Sequence, residues 1–298
     1  MNQNGVYLID KPSGLTSHDV VDELRRILKN RAIGHGGTLD PLATGLLICL
    51  VGDATKLSQY VMAEEKTYVV GIKLGIRTDS GDITGQVLEE KDVSQITEGQ
   101  IQEVLPSLQG ELNLKVPKYS AVKVKGKKLY EYARKNEDVE IPTKKMSIRS
   151  IKVLGYENGQ VNLEMDCEKG TYVRSWVEEL GDRLGCGATV ETLRRTRSGS
   201  FEINQARPLD VLATETFEGL AGRLVPLSDV LGHWPALKIT GRDHSLMVHG
   251  QIPRGVYTQI IHFAFESGVR ILNEDGGLLA LIVRDEQKGI KIARVFSS

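Results

Sequence analysis

Residues 34–52 read GHGGTLDPLATGLLICLVG. The second half is an unbroken apolar run closed by glycine, the pattern of a buried strand. The first half is a turn. Glycines at 34, 36, 37 and 45 let another backbone or a ligand come close. Pro41 keeps Asp40 out of helical geometry, so the backbone there is extended. Just upstream, HDVVDELRRILKN repeats Val20, Val21, Leu24, Ile27 and Leu28 on one helical face, and Ser17 stands where a cap is needed. Helix, glycine-rich turn and buried strand follow one another within some 35 residues.

The rest of the chain continues the alternation. GVYLIDKP reads as a strand ending at Pro12, DATKLSQYVMAEE as a helix from Asp53, and KTYVVGIKLG as a strand. TDSGDITG is a loop and TEGQIQEVLPSLQG a short helix. YSAVKV is strand-like and KKLYEYARKN helix-like, whereas VNLEMDCEK alternates as a strand. GTYVRSWVEELGDRLG is an amphipathic helix with a glycine stop. Helices and strands interleave without strict βαβ regularity, which predicts an α+β fold with a mixed or antiparallel sheet. Near His233 the texture changes to short strands and turns: QIPRG, GVRILNEDGGLLALIV and IKIARVF, with NEDGG as a hairpin signal. The expectation is one domain over residues 1–233 and a small β-rich domain over 234–298.

Composition narrows the function class. Of 298 residues, 40% are hydrophobic and 26% charged, as in ordinary globular proteins. No apolar run reaches the ~18 residues of a membrane span. The start, MNQNGVYLIDKPSG, lacks the basic and apolar regions of a secretory signal. Cys49, Cys167 and Cys186 form no CxxC, so neither a disulfide framework nor structural zinc is expected, and the protein reads as cytoplasmic. Net charge is -1, but residues 115–152 hold twelve Lys and Arg against four Asp and Glu. Such a block is either a polyanion site or a solvated lysine-rich face. There is no G-x-G-x-x-G after a strand, no Walker A and no H-E-x-x-H, which leaves chemistry done by side chains alone, or none.

Asp40 is the leading candidate. No Lys or Arg lies in residues 34–47 to pair with it. An extended acid on a glycine-rich turn can project into a cleft; the same Asp-Pro dipeptide also suits an Asx-turn or a helix cap. A buried carboxylate requires a cation from elsewhere. Arg174, in the first turn of the GTYVRSW helix, is the most suggestive donor, although arginines so placed commonly face solvent. Tyr68 and Tyr172 offer aromatic faces for a displaced base, or are core residues with a wet hydroxyl. His35 either reaches a ligand in the same turn or bonds a loop carbonyl. A metal-dependent hydrolase built on His35 and Asp40 lacks a third ligand at sensible spacing.

Taken together, DKPSGLTSHDVV, GHGGTLDPLATGLL, KTYVVGIKLGIRTDSGD, PKYSAVKVKGKKLYEYAR, GTYVRSWVEELG and LRRTRSGSF closely resemble the tRNA pseudouridine synthase B (TruB) family. Several separate motifs stand in the family's order. One departure is Gly36, where relatives often carry Thr or Ser. The last 65 residues resemble, more weakly, the family's small RNA-binding PUA domain. The resemblance implies conversion of one uridine of the tRNA T loop, position 55, to pseudouridine. The N1–C1′ bond breaks, the uracil turns, and C5 joins C1′. Atoms are conserved, so no redox cofactor, nucleotide or metal is required. It further implies that Asp40 is the essential aspartate and Tyr68 the base-contacting tyrosine. Arg174 is then the arginine paired with Asp40, His35 assists extrusion of the loop bases, and Tyr172 and Leu193 are further uridine contacts. The block at 115–152 matches the family's tRNA-binding insertion. The expected partner is the tRNA T-arm stem-loop, with no membrane, no obligate protein partner and nothing that demands more than a monomer. The reading from another class is a non-catalytic RNA binder or folding chaperone, which would need none of Asp40, Tyr68 and Arg174.

Overall fold

The computed structural model describes residues 4–135, 137–261, 263, 268–285 and 289–296. Its backbone is a mixed sheet whose central run of strands is Gly5–Lys11, Thr44–Val51, Ala188–Ser198, Lys66–Leu74, Gln160–Cys167, Thr143–Glu157 and Gly110–Lys115. The Gly5–Lys11 and Thr44–Val51 strands pair antiparallel along their whole length, Gly5 opposite Val51 and Lys11 opposite Gly45. The unbroken apolar run has a simple cause: both faces of this strand are covered. Leu47, Cys49 and Val51 point into one core, Leu46, Ile48 and Leu50 into another.

Ala188–Ser198 joins the two halves of the sheet. It runs parallel to Thr44–Val51 at Arg194 and Arg195 and antiparallel to Lys66–Leu74 on its other side. The first core also holds the Ser17–Leu28 and Val173–Arg183 helices, through Val20, Val21, Leu24, Trp176 and Val177.

The cap of the first helix differs from the sequence reading. Thr16, not Ser17, is the N-cap: its hydroxyl accepts from Asp19 N at 3.1 Å, and the Asp19 carboxylate accepts from Thr16 N at 2.8 Å. Ser17 lies inside the helix and is buried. Its hydroxyl donates to Leu39 O at 3.0 Å and accepts from Leu39 N at 2.8 Å, so the helix is tied to the residue before Asp40. The segment from Asp53 is helical with a tight 3₁₀ start, Gly52–Leu57, followed by an α-helix over Ser58–Ala63. YSAVKV supplies only the two-residue strand Lys123–Val124, paired with Lys127–Lys128 around Lys125 and Gly126, both left-handed. The helix Leu129–Arg134 follows.

The C-terminal unit is a four-stranded sheet of Ala236–Lys238, Val269–Leu272, Leu278–Asp285 and Gly289–Val295, with the NEDGG hairpin as expected. QIPRG is not a strand: it leads into the helix Arg254–Ile260, and a second helix spans Gly241–Val248. Both are short and depend on packing Met247, Val256 and Ile260 against the sheet. Leu281, Phe296 and Trp234 share a core with Leu8, Ile48 and Leu50, which seats the unit on the large sheet. Tyr60 meets Trp234 edge-on, and Arg270 donates to the carbonyls of Ser228, Gly232 and Trp234. Among the described residues no helix is long and apolar enough to cross a membrane.

Candidate active site

The glycine-rich turn runs from the short strand Ile33–His35 to Thr44–Val51. Gly45 has φ +97, and a Cβ there would lie 2.3 Å from the Arg195 carbonyl oxygen, so no other residue fits. Gly36 has a different reason: a Cβ would fall 2.5 Å from Cγ1 of Val61. In this chain Val61 fills the space that a Thr or Ser at 36 would need.

Asp40 is held at the end of this turn by its backbone. Its carbonyl accepts from Ala43 N at 3.1 Å, and the next carbonyl, Pro41 O, accepts from Gly14 N at 2.8 Å and from Lys11 Nζ at 3.3 Å. Lys11 is fully buried and also donates to Pro12 O and Leu15 O. Burial pushes its pKa down to about 8, which still leaves an ammonium at neutral pH. The DKPSG segment therefore clamps the loop that aims Asp40.

The carboxylate meets Arg174. Nε lies 2.8 Å from Oδ2, and Nη2 donates to Oδ1 at 3.1 Å, a two-pronged pair. The guanidinium is anchored further by Nη1, which donates to Ser80 O at 2.9 Å, and by Nη2, which donates to Tyr119 O at 3.1 Å. Arg174 is 5% exposed, while the Asp40 side chain is 34% exposed and faces open space. The guanidinium is thus buried and the carboxylate accessible.

That space is a cavity of about 710 Å³ bordered by His35, Asp40, Tyr68, Tyr172, Arg174 and Leu193, all six of the residues singled out in the sequence. Tyr68 and Leu193 sit on neighbouring strands, buried except for their cavity edges; burial raises the Tyr68 hydroxyl pKa. Tyr172 is the N-cap residue of the Arg174 helix, and Lys144 Nζ lies 5.8 Å from its ring centre. His35 closes the short strand; its Nδ1 accepts from Gly37 N at 3.4 Å, so it bonds its own loop while it borders the cavity. Burial, then the Arg195 charge, lowers its pKa, so the ring is neutral at pH 7.

Sequence reasoning missed other residues of the wall: Lys66, Ser120, Lys128, Tyr130 and Arg195. Arg195 carried a signal. It is two residues beyond Leu193 on one strand, so the two share a face of the sheet. Ser120 carried none. Its hydroxyl is buried and has no hydrogen-bond partner among the described residues, although it borders the cavity. Lys128 and Tyr130 bring the basic insertion to the cavity rim, with Lys128 Nζ at 5.4 Å and the Arg134 guanidinium at 5.3 Å from the Tyr130 ring centre. A second cavity, of about 340 Å³, lies beneath the insertion between Asp79, Tyr119 and Ile141.

Comparison with known proteins agrees over most of the chain. Residues 25–173 match the sequence model of the TruB family pseudouridylate synthase N-terminal domain, and residues 174–231 that of the tRNA pseudouridylate synthase B C-terminal domain. The two matches meet in the helix that carries Arg174. The tRNA pseudouridine synthase B of Bdellovibrio bacteriovorus is 43% identical over 299 aligned residues, covering 98% of this chain and 97% of that protein. That of Caldicellulosiruptor saccharolyticus is 44% identical over 228 residues, 76% of each. Among solved structures, a Cbf5-Nop10-Gar1 complex superposes with a TM-score of 0.73 at 27% identity, over 99% of this chain and 84% of the matched one. A chain of the archaeal box H/ACA sRNP Nop10-Cbf5 complex, 24% identical with a TM-score of 0.70, shares the fold.

Proposed function

This chain belongs to the TruB family of pseudouridylate synthases, and from that premise we propose that it isomerises the uridine at position 55 of the tRNA T loop to pseudouridine, with Asp40 as the essential carboxylate. The observation that carries the reading is the Asp40–Arg174 pair on the wall of a cavity that also presents Tyr68.

A uridine stacked within a loop cannot present its sugar and base edges to a carboxylate. It must leave the stack, which costs a few kcal/mol. Stacking on Tyr68 returns about 1–3 kcal/mol of that. Leu193 and the ring of Tyr172 give apolar wall that keeps water from the sugar while the base is detached. Arg174 balances the Asp40 charge and fixes its rotamer through two contacts, so the carboxylate is aimed before substrate arrives. His35, neutral at the edge of the same loop, borders the mouth through which the base enters. The Ser120 hydroxyl, without a hydrogen-bond partner among the described residues, supplies one more polar contact for the nucleoside. The reaction conserves atoms, and no cofactor or metal enters the proposal.

The basic insertion is assigned the grip on the T-arm phosphates. Lys123 and Lys125 are exposed and make no ion pair among the described residues, whereas Lys127 is engaged by Glu137 and by the Tyr132 ring. Phosphate contacts position the RNA, and the shape of the loop selects it. The C-terminal unit over 234–298 is assigned as a second, PUA-like RNA contact, and the protein as a monomer acting without an obligate partner.

The test is tritium release from 5-labelled uridine in a tRNA transcript and in an isolated T-arm stem-loop. The wild-type protein should release label from both; Asp40→Asn should release none yet bind the transcript with nearly the same Kd. Substantial release by Asp40→Asn would remove the carboxylate from the mechanism.

A further inference from the structure

Arg195 is 2% exposed, yet no carboxylate among the described residues lies within ion-pair distance of it. Its two neighbouring arginines on the same strand are both paired, Arg194 with Asp10 and Arg197 with Asp166. A buried guanidinium without a counter-ion is expensive, and it persists where function requires the charge. Two of its three nitrogens are committed to the backbone. Nε donates to Leu46 O at 2.7 Å, and Nη2 donates to Gly37 O at 3.2 Å. Nη1 donates to no carbonyl or carboxylate among the described residues. The side chain borders the 710 Å³ cavity, directly across the strand pair from Tyr68, and hydrogen-bonds the Tyr68 hydroxyl, which leaves further N–H groups of its five without an acceptor. Burial lowers the pKa of His35, Lys11 and Lys66, and the Arg195 charge lowers each of them further. Asp40 cannot neutralise it, because both Asp40 oxygens already face Arg174.

We infer that Arg195 is a further catalytic residue, whose Nη1 edge binds a uracil carbonyl oxygen and stabilises the negative charge that the base acquires when its bond to the sugar breaks. The inference rests on the functional reading above. The chemistry balances without a co-reactant. The electron pair of the N1–C1′ bond departs with the ring and spreads over N1, O2 and O4, while C1′ becomes electron-poor. C5 then supplies a pair to C1′, its proton passes to solvent, and N1 takes a proton up. Whichever atom Asp40 engages, the detached base is anionic between these two events. A guanidinium already desolvated and held by two carbonyls meets that anion with no reorganisation. Every nitrogen of Arg174 is already engaged by Asp40, Ser80 or Tyr119, and the Lys66 ammonium gives two of its three N–H donors to the Met62 and Glu64 carbonyls. Arg195 lies directly across the strand pair from Tyr68, and among the described residues its Nη1 is taken by no carbonyl or carboxylate.

The test compares wild type with Arg195→Gln and Arg195→Lys in single-turnover rearrangement of a T-arm carrying either uridine or 5-fluorouridine at the target position, scored as C-glycoside by nucleoside chromatography. Fluorine makes the ring a better anion, so less help from the protein is needed; its C5 has no proton to lose after bonding to C1′, so water adds OH at C6 and a proton at N1, and this hydrated C-glycoside is the product scored. On uridine, Arg195→Gln should be slower by about 10²–10³-fold, the usual cost of one anion-stabilising donor. T-arm affinity should stay within about threefold, and Arg195→Lys, which keeps the charge in the buried site, should fall between. On 5-fluorouridine the deficit of both variants should shrink at least tenfold. An equal deficit on the two substrates would mean that Arg195 merely holds the Gly37 and Leu46 carbonyls, and would overturn the inference alone. Wild-type protein inactive on every tRNA would overturn the functional reading and this inference with it.

Discussion

Replacing Arg174 with alanine separates catalysis from binding. The guanidinium makes two contacts to Asp40, at 2.8 and 3.1 Å, and one each to the carbonyls of Ser80 and Tyr119. Breaking a fully buried ion pair costs about 3–5 kcal/mol. Here Asp40 is a third exposed, so water recovers part of its solvation and the ion-pair share falls to about 1–3 kcal/mol. The two abandoned carbonyls add about 1–3 kcal/mol, which a water entering the space partly offsets. Arg174→Ala should therefore lower folding stability by about 2–4 kcal/mol and still leave a folded protein. Turnover should drop further than stability does. Without its fork the carboxylate samples several rotamers, and a misaimed reactive group costs about 10²-fold or more. Arg174→Lys keeps the charge but offers a point donor instead of a planar fork, so it should recover only part of the activity. Single-turnover tritium release gives the rate, and filter binding of the same transcript gives Kd. The rate should fall at least about 100-fold for Ala, with Kd changed by less than about threefold. An effect confined to Kd would show that Arg174 serves the RNA and not Asp40.

Two further expectations concern the insertion and the turn. Lys123→Gln with Lys125→Asn, the latter suited to the left-handed backbone at 125, should weaken T-arm binding and flatten the slope of log Kd against log salt by about 0.7–0.9 for each phosphate no longer neutralised. Lys127→Gln should do less, because Glu137 already holds that ammonium; equal slopes for all variants would refute the grip. Gly36→Thr should lower thermal stability by about 1–3 kcal/mol by driving its Cβ into Val61, and Val61→Ala should hurt the Gly36→Thr protein less than the wild type. Strict additivity of the two changes in thermal melts would show that Val61 is not what excludes a side chain at 36.

Features encoded over a few residues were legible in the sequence. The GLLICLV run had to be a doubly covered strand, NEDGG had to turn a hairpin, and the first helix followed from its apolar spacing. Asp40 stood out as an acid with no nearby cation. Short-range reading erred where two neighbours compete for one role, as at Thr16 and Ser17. Both can cap, and only the packing of Leu39 against the helix decides that Ser17 turns inward. It erred again at QIPRG, because the Arg254–Ile260 helix is too short to declare itself and exists by burying Val256 and Ile260.

The site was written in pieces, and the tertiary structure assembled them. Residue chemistry nominated Asp40, Tyr68 and Arg174 separately, but their meeting depends on the Ala188–Ser198 strand lying between two strands far from it in sequence. The bond from Arg174 to Asp40 spans 134 residues, and nothing local to either end specifies it. Arg194, Arg195 and Arg197 look alike in LRRTRSGSF; strand alternation separates Arg194 from Arg195, a register shift intervenes between Arg195 and Arg197, and among the described residues Arg194 and Arg197 meet a carboxylate while Arg195 is buried without one. Periodicity and turn chemistry act over a few residues, so the sequence alone determines elements and candidate groups. Which charge is paired, and which is left for a ligand, depends on how distant segments exclude water from one another, and only the folded chain decides that.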